Sequence, residues 1–172
     1  MTEPASLGSA PPPAPASDDH VRGDGPEALV YLDLACPRCA GTWAEISALP
    51  LRLCVRHFPL TAKRPRSPAL HAATEAAALQ SEGSFWELWD SLLADRAHVD
   101  DPHLWERAER LGLDLDRFER DRRSAAVEGR VRRDFVSGIR AGVTETPSGF
   151  SAAGPIRGDL SEALAELAAE GA

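Results

Sequence analysis

Two cysteines spaced by two residues, Cys36-Pro37-Arg38-Cys39, are the part of the sequence best suited to covalent chemistry. They follow an almost continuous apolar run of strand length, residues 28–34, and precede a helical pattern carried by Ala40, Trp43, Ile46 and Leu49 and stopped at Pro50. Pro37 suits the first turn of that helix, where its missing N–H costs nothing. A cysteine at such a boundary faces unpaired backbone N–H groups and the positive end of the helix dipole. Both favour the thiolate, the attacking species in thiol–disulfide exchange, and Arg38 adds a positive charge nearby. Cys36 is therefore expected to titrate between about 3.5 and 7.5, the range of helix-start and CxxC thiols. Cys39, one turn further in, is the shielded, resolving thiol. A bond between the two closes a small ring, which suits a disulfide that forms and breaks rather than one that staples a fold.

Other residues with chemical potential are fewer. Thr146-Pro147 is an X–Pro pair, the only kind at which a cis bond is cheap. A cis turn there leaves the backbone of Thr146 free to pair, strand-like, with an incoming peptide. Cys54 and His57 extend the cysteine pair into a C-x2-C-x14-C-x2-H pattern, which spells a zinc site. Zinc needs four convergent ligands, whereas positions 54 and 57 of one strand point to opposite faces. Cys54 is thus expected as a small buried apolar residue, and no metal site is expected. His71, His98 and His103 have no partner pattern and are expected at the surface. The arginines of residues 117–133 are interleaved with Glu119, Asp121 and Glu128, which reads as a solvated helix face and not as a nucleic-acid surface.

These residues need a scaffold. A chain of 172 residues, 43% hydrophobic and 27% charged, is enough for one domain with its own core. A formal net charge of −8 excludes a general nucleic-acid or anionic-membrane binder. Three cysteines are too few for a disulfide-stapled secreted scaffold, and no apolar run approaches the ~18 residues that span a bilayer. Residues 1–25, rich in Pro, Ala and acid, read as a disordered tail without the features of a secretory signal. The expected compartment is therefore the cytoplasm.

Residues 28–34 and 51–58 read as strands on either side of the CxxC helix, a βαβ unit. The next eighty residues show only helical periodicity. Ser84 and Glu87 form a capping box, Asp101 is an N-cap before Pro102, Asp114 or Asp116 caps a short helix holding Phe118, and Val127, Val131, Phe135 and Ile139 line a longer one. Trp86, Trp89, Trp105 and Phe118 fall at core spacing. Strand-like signal returns weakly at Ser148-Gly149-Phe150 and around Ile156, before a closing helix capped by Asp159.

The stretches LVYLDLACPRC, RHFPL, FWELWDSLLAD, LWERAERLGLD and GVTETPSGF together resemble the DsbA-like branch of thioredoxin-fold oxidoreductases over residues 28–170. The resemblance implies an α/β, thioredoxin-like fold (βαβ…ββα) with an all-helical insertion after the second strand. Residues 26–60 and 143–172 would form the core and residues 61–142 the insertion. It also implies that Cys36 is the nucleophile, that Cys39 resolves the mixed disulfide, and that Thr146-Pro147 is a cis-proline loop facing them. Pro37, Arg38, Thr146 and Pro147 would contact substrate. The implied partners are a substrate polypeptide or small thiol or disulfide and a redox-recycling protein, with no metal or organic cofactor.

Two positions depart from that family's pattern. The residues after Pro147 are small and polar, so the hairpin should be thin, and Pro155 suits only an edge strand. Val30 stands where many relatives carry an acid, leaving Asp33 as the only carboxylate on the strand, placed either to relay a proton or to bond nearby backbone. The competing readings are a redox-inactive or zinc-binding thioredoxin-fold binding domain and the regulatory piece of a membrane transporter. A glutathione-dependent isomerase on this fold typically carries a lone serine, and both cysteines are present here.

Overall fold

The computed structural model describes residues 10–171; residues 1–9 and 172 lie outside the described residues, and with them that part of the expected tail. Strand β1 spans His20–Arg22 and β2 Glu27–Leu32, followed by helix α1 at Pro37–Ile46 and strand β3 at Arg52–His57. Five helices come next: α2 (Ser67–Ala78), α3 (Glu82–Ala94), α4 (Asp101–Arg110), α5 (Leu115–Asp121) and α6 (Ala125–Arg140). Strands β4 (Ser148–Ser151) and β5 (Gly154–Pro155) and helix α7 (Leu160–Glu170) close the chain. The sheet order is β1-β3-β2-β4-β5, with β2 and β3 parallel and the other pairs antiparallel. This is the expected α/β architecture, with helices between the second and third core strands. Among the described residues no helix is long and apolar enough to cross a membrane.

Strand alternation explains how the sheet is covered. Ala28, Val30 and Leu32 of β2 and Leu53 and Val55 of β3 join Trp43, Leu70, Trp89 and Leu164 in the larger core. Leu29, Tyr31 and Cys54 point to the other face, where Phe58, Val143 and Phe150 pack with Phe135 and Ile139 of α6. A strand buried on both faces reads as a continuous apolar run, which is why the pattern of β2 was visible in the sequence. Phe118 and Trp89 lie in the core as expected, whereas Trp105 is 40% exposed and donates its indole N–H to Glu119.

The helix starts follow the capping side chains, with two shifts from expectation. Ser81, not Ser84, caps α3 by accepting the Ser84 N–H. Asp100 caps α4, so Asp101 and Pro102 occupy its first turn. Asp114 and Asp159 cap α5 and α7.

The expected tail ends earlier than residue 25, because β1 pairs with β3 through His20↔Val55. Val21 packs on the smaller core, but most of the attachment is made by charged side chains, which a count of hydrophobic residues does not register. Buried Asp19 meets Arg56 at 2.9 Å, Arg133 at 3.0 Å and Arg130 at 3.4 Å. The Arg22 guanidinium lies over the rings of both Trp43 and Trp86, at 4.8 and 4.7 Å from their centroids.

His20 completes this attachment. Its Nε2 lies 2.7 Å from Glu75 Oε1 and its Nδ1 3.0 Å from Glu82, so the imidazolium is the form that satisfies both carboxylates. Burial opposes the charge, but Glu75 and Glu82 outweigh it and raise the His20 pKa above 6.5. A raised folded-state pKa contributes stability that is complete below the unfolded value and lost as pH rises through the folded one. His20→Gln should therefore cost about 2 kcal/mol near pH 6, with the penalty shrinking at higher pH. Urea unfolding of both proteins across that range measures it, and a penalty independent of pH rejects the imidazolium.

Candidate active site

Strand β2 stops at Leu32, and the four residues from Asp33 to Cys36 turn the chain into α1. Cys36 is the N-cap of that helix in an extended conformation (φ −87°, ψ 124°), with Pro37 in the first turn and no acidic residue there. Its N–H donates to the Asp33 carbonyl at 2.9 Å, and its sulfur lies 3.7 Å from the Thr146 carbonyl oxygen, to which the thiol can donate. The Thr146–Pro147 bond is cis, and Thr146 is buried. Cys36, Cys39, Thr146 and Pro147 thus lie together at this end of the sheet. Both cysteines are free thiols.

The two sulfurs are electrostatically unlike. A hydrogen bond from the Cys39 thiol is the chief cause that pulls Cys36 down to about 5; burial opposes it, and the Cys39 N–H, Thr146 and the Arg38 N–H add to it. The value falls within the expected range, but its cause differs in one respect. The Arg38 side chain is exposed and pairs with Glu145 at 3.2 Å, so its charge is screened by solvent and offset by a carboxylate. Burial pushes the Cys39 thiol far above the ordinary thiol range, and its bond to Cys36 adds to the rise. One sulfur is therefore ready to attack at neutral pH and the other is held in reserve.

A cavity of about 750 Å³ opens beside the pair, between α1, the cis-proline loop and the start of α7. Arg38, Thr42, Glu145, Pro147 and Arg157 are among the side chains that line it. Pro37 and Arg38 hence flank the site, Pro37 as the first residue of the helix and Arg38 on the cavity wall.

Asp33 takes the second of its two expected roles. Its carboxylate accepts the Ala35 N–H at 2.9 Å, the Leu60 N–H at 3.2 Å and the Ser67 hydroxyl at 2.5 Å. Burial opposes its charge, but the Ser67 hydroxyl and the Ala35 N–H stabilise the carboxylate and hold its pKa well below the ordinary value. A carboxylate that acidic is a weak proton acceptor and a strong anchor.

The zinc pattern is not assembled. Cys54 lies on the α6 face of the sheet, where burial raises its pKa to about 12, and His57 faces Phe85 and Trp89 on the opposite side. His71, expected at the surface, is fully buried. It lies in a row of side chains that sequence reasoning missed. Leu34 N–H donates to His71 Nε2 at 3.1 Å, His71 Nδ1 meets His57 Nδ1 at 2.7 Å, and His57 Nε2 meets Glu75 Oε1 at 2.5 Å. A signal existed, because Ser67, His71 and Glu75 recur every four residues on an otherwise Ala- and Leu-rich helix and so share one face.

His20, His57 and Glu75 are close enough to hold a metal ion among the described residues. The hydrogen-bond directions argue against it. A backbone N–H can only donate, so His71 must offer its lone pair at Nε2 and carry its proton on Nδ1. That proton points at His57 Nδ1, which leaves the His57 proton on Nε2, facing Glu75. The ring nitrogen that would bind a metal is the one obliged to donate.

The chain matches the family model of the DSBA-like thioredoxin domain over residues 41–154, a stretch that contains Thr146-Pro147 and begins just after Cys39. It is 37% identical over 156 residues to a Na(+)/H(+) antiporter NhaA of Herminiimonas arsenicoxydans, covering 86% of this chain and 24% of that protein. It is 38% identical over 149 residues to Na(+)/H(+) antiporter NhaA 3 of Salinispora tropica, covering 80% of this chain and 22% of that protein. The chain thus spans about a quarter of the length of these curated relatives. A thioredoxin-like oxidoreductase from Silicibacter pomeroyi superposes with a TM-score of 0.76 at 21% identity, covering 90% of this chain and 92% of the other. Wolbachia pipientis alpha-DsbA1 does so with a TM-score of 0.73 at 16% identity, covering 91% and 94%.

The causes of the Cys36 shift can be separated by experiment. Alkylation of Cys36 by iodoacetamide should rise with a midpoint near pH 5. Cys39→Ala should move that midpoint up by more than about one unit, because it removes the leading hydrogen bond. Arg38→Ala should leave it in place. Equal shifts from the two variants would return the credit to the arginine.

Proposed function

The chain belongs to the DSBA-like thioredoxin domain family, and we propose that it is a thiol–disulfide oxidoreductase working through Cys36 and Cys39. The observation that carries this reading is the position of Cys36, a depressed-pKa thiol at a helix start, under the carbonyl of the residue before a cis-proline. In the reducing direction the Cys36 thiolate attacks a substrate disulfide, forming a mixed disulfide and releasing one substrate thiolate. Cys39 then bonds to Cys36, the Cys36–substrate bond breaks, and the second substrate thiolate departs. Oxidation of a dithiol substrate runs the same steps backwards. The exchange itself requires no metal or organic cofactor.

The substrates proposed are polypeptide cysteines presented on an extended segment, paired along Thr146 and extending into the cavity beside Arg38 and Glu145. A second redox protein restores the starting state. Stabilising the Cys36 thiolate stabilises the dithiol form relative to the disulfide, which makes the couple more oxidising than an unperturbed pair. The antiporter relatives favour a second reading, a regulatory domain that senses redox state for a transporter through the same two thiols. That reading requires ion flux in a membrane preparation to change with Cys36–Cys39 oxidation.

Trapping distinguishes exchange from a merely structural pair. Cys39→Ser should accumulate mixed disulfides with a scrambled, disulfide-bonded substrate protein, and Cys36→Ser should accumulate none. Mass spectrometry should place the adducts on Cys36. Equal trapping by the two variants, or a wild-type pair that does not equilibrate with a glutathione redox buffer, would sink the proposal.

A further inference from the structure

The residues that join β2 to α1 carry the site but have no strand neighbour to hold them. Their backbone groups are satisfied one by one. Asp33 N–H points to the Cys39 sulfur at 3.4 Å, Asp33 C=O takes the Cys36 N–H, Leu34 N–H goes to His71 Nε2 at 3.1 Å, and Ala35 N–H goes to the Asp33 carboxylate. Helix α2 supplies two anchors from one face, Ser67 on the Asp33 carboxylate and His71 on the Leu34 N–H. The two peptides flanking Asp33 are thus held separately: the Leu32–Asp33 peptide, which carries the N–H aimed at Cys39, by the Phe58 N–H on its carbonyl at 2.9 Å, and the Asp33–Leu34 peptide by Cys36 on one side and His71 on the other.

Cys39 is the group that needs this. It is fully buried, and burial disfavours its thiolate. Yet Cys39 must carry negative charge during exchange, as the attacking sulfur in one direction and the leaving sulfur in the other. The Asp33 N–H is a donor already aimed at that sulfur. A donor in place before charge develops lowers the barrier without reorganisation.

Resting on the exchange reading above, we propose that His71 is a positioning residue for the resolving step. By accepting the Leu34 N–H it fixes the loop so that the Asp33 N–H stays directed at Cys39. The step it serves is balanced: Cys39 gives up its proton, its sulfur bonds to Cys36 Sγ, the Cys36–substrate S–S bond breaks with its electron pair on the substrate sulfur, and that thiolate takes up a proton.

The row behind His71 keeps its lone pair where it is needed. Because Leu34 N–H cannot accept, His71 must donate from Nδ1 to His57 and His57 from Nε2 to Glu75, which as a carboxylate only accepts. Glu75 is held ionised against burial by His20 and His57. Burial also holds His71 neutral, with its pKa lowered to about 4. A neutral ring with one permitted tautomer is a fixed acceptor, and the order of donors runs one way from the active-site loop to Glu75.

The test separates the two chemical steps with 5,5′-dithiobis(2-nitrobenzoate). Attack by Cys36 releases a first coloured thiolate, and resolution by Cys39 releases a second. In His71→Phe the first phase should remain within about twofold of wild type and the second should slow by roughly tenfold or more. His71→Gln, whose amide oxygen can accept the Leu34 N–H, should recover most of the loss. Glu75→Gln leaves His71 in place but replaces the obligate acceptor with a group that also donates, and it should slow the second phase selectively; it carries the test if His71→Phe does not fold. A second phase unchanged in a folded variant, or two phases slowed alike, overturns the role of His71. A wild-type protein with no first phase overturns the exchange reading itself.

Discussion

Keeping a sulfur negative inside a protein requires donors already in place, because burial alone drives a thiol toward its neutral form. The whole site depends on how few such donors there are and which sulfur receives them. Cys36 takes the Cys39 thiol and the first N–H groups of α1, and its pKa falls to about 5 although the residue is buried. Cys39 supplies a proton to its neighbour and gains mainly the Asp33 N–H in return. The asymmetry is therefore mutual: the bond that lowers one thiol raises the other. A pair with equal access to donors would have neither a distinct nucleophile nor a reserve.

That arrangement places unusual demands on the residues behind it. A loop between a strand and a helix has no ladder of its own, and its polar groups need partners from elsewhere. Here they come from α2, which turns Ser67, His71 and Glu75 toward the sheet and surrounds them with Leu and Ala. The charges compensating Glu75 come in turn from His20, so the short first strand is tied to the same network. A chain of net charge −8 thus uses several of its acids internally: Asp19 gathers three arginines, and Asp33 gathers N–H groups and a hydroxyl. The helices between β3 and β4 are more than a cover for apolar surface. They supply the polar contacts that the active-site loop cannot find in the sheet.

What could be read in advance follows from the kind of force involved. Strands β2 and β3 announce themselves as apolar runs, and Asp114 and Asp159 mark helix starts through a local side-chain rule. Cys36 was legible because its chemistry depends on its place at a helix start. The chain from Leu34 to Glu75 was not, because it joins the β2–α1 turn, β3 and α2 through partners 14 to 37 residues apart. The strand at His20 was hidden for the same reason: two of its three residues are polar, and His20 is held by Glu75 and Glu82 more than fifty residues on. The pull of Arg38 on Cys36 was overestimated because Glu145, 107 residues away, claims the guanidinium.

The thin hairpin after Pro147 shows why weak local signal need not mean a loose site. Strand β4 pairs antiparallel with β2 in the register Tyr31↔Ser148, Val30↔Gly149 and Leu29↔Phe150. As β2 runs on toward Asp33, its partner therefore runs back through Pro147 to Thr146, which brings the Thr146 carbonyl over Cys36. The register is held by side chains with little freedom. Phe150 packs edge-on to Tyr31 in the smaller core. Gly149 lies under Leu160 of α7, where an added Cβ would come within 2.4 Å of Leu160 Cδ1. A slip by one residue would turn Phe150 to the opposite face and drive a side chain into α7. Glycine at this position, which weakens the strand signal, lets α7 close on the sheet and so holds the cis-proline loop against the cysteines.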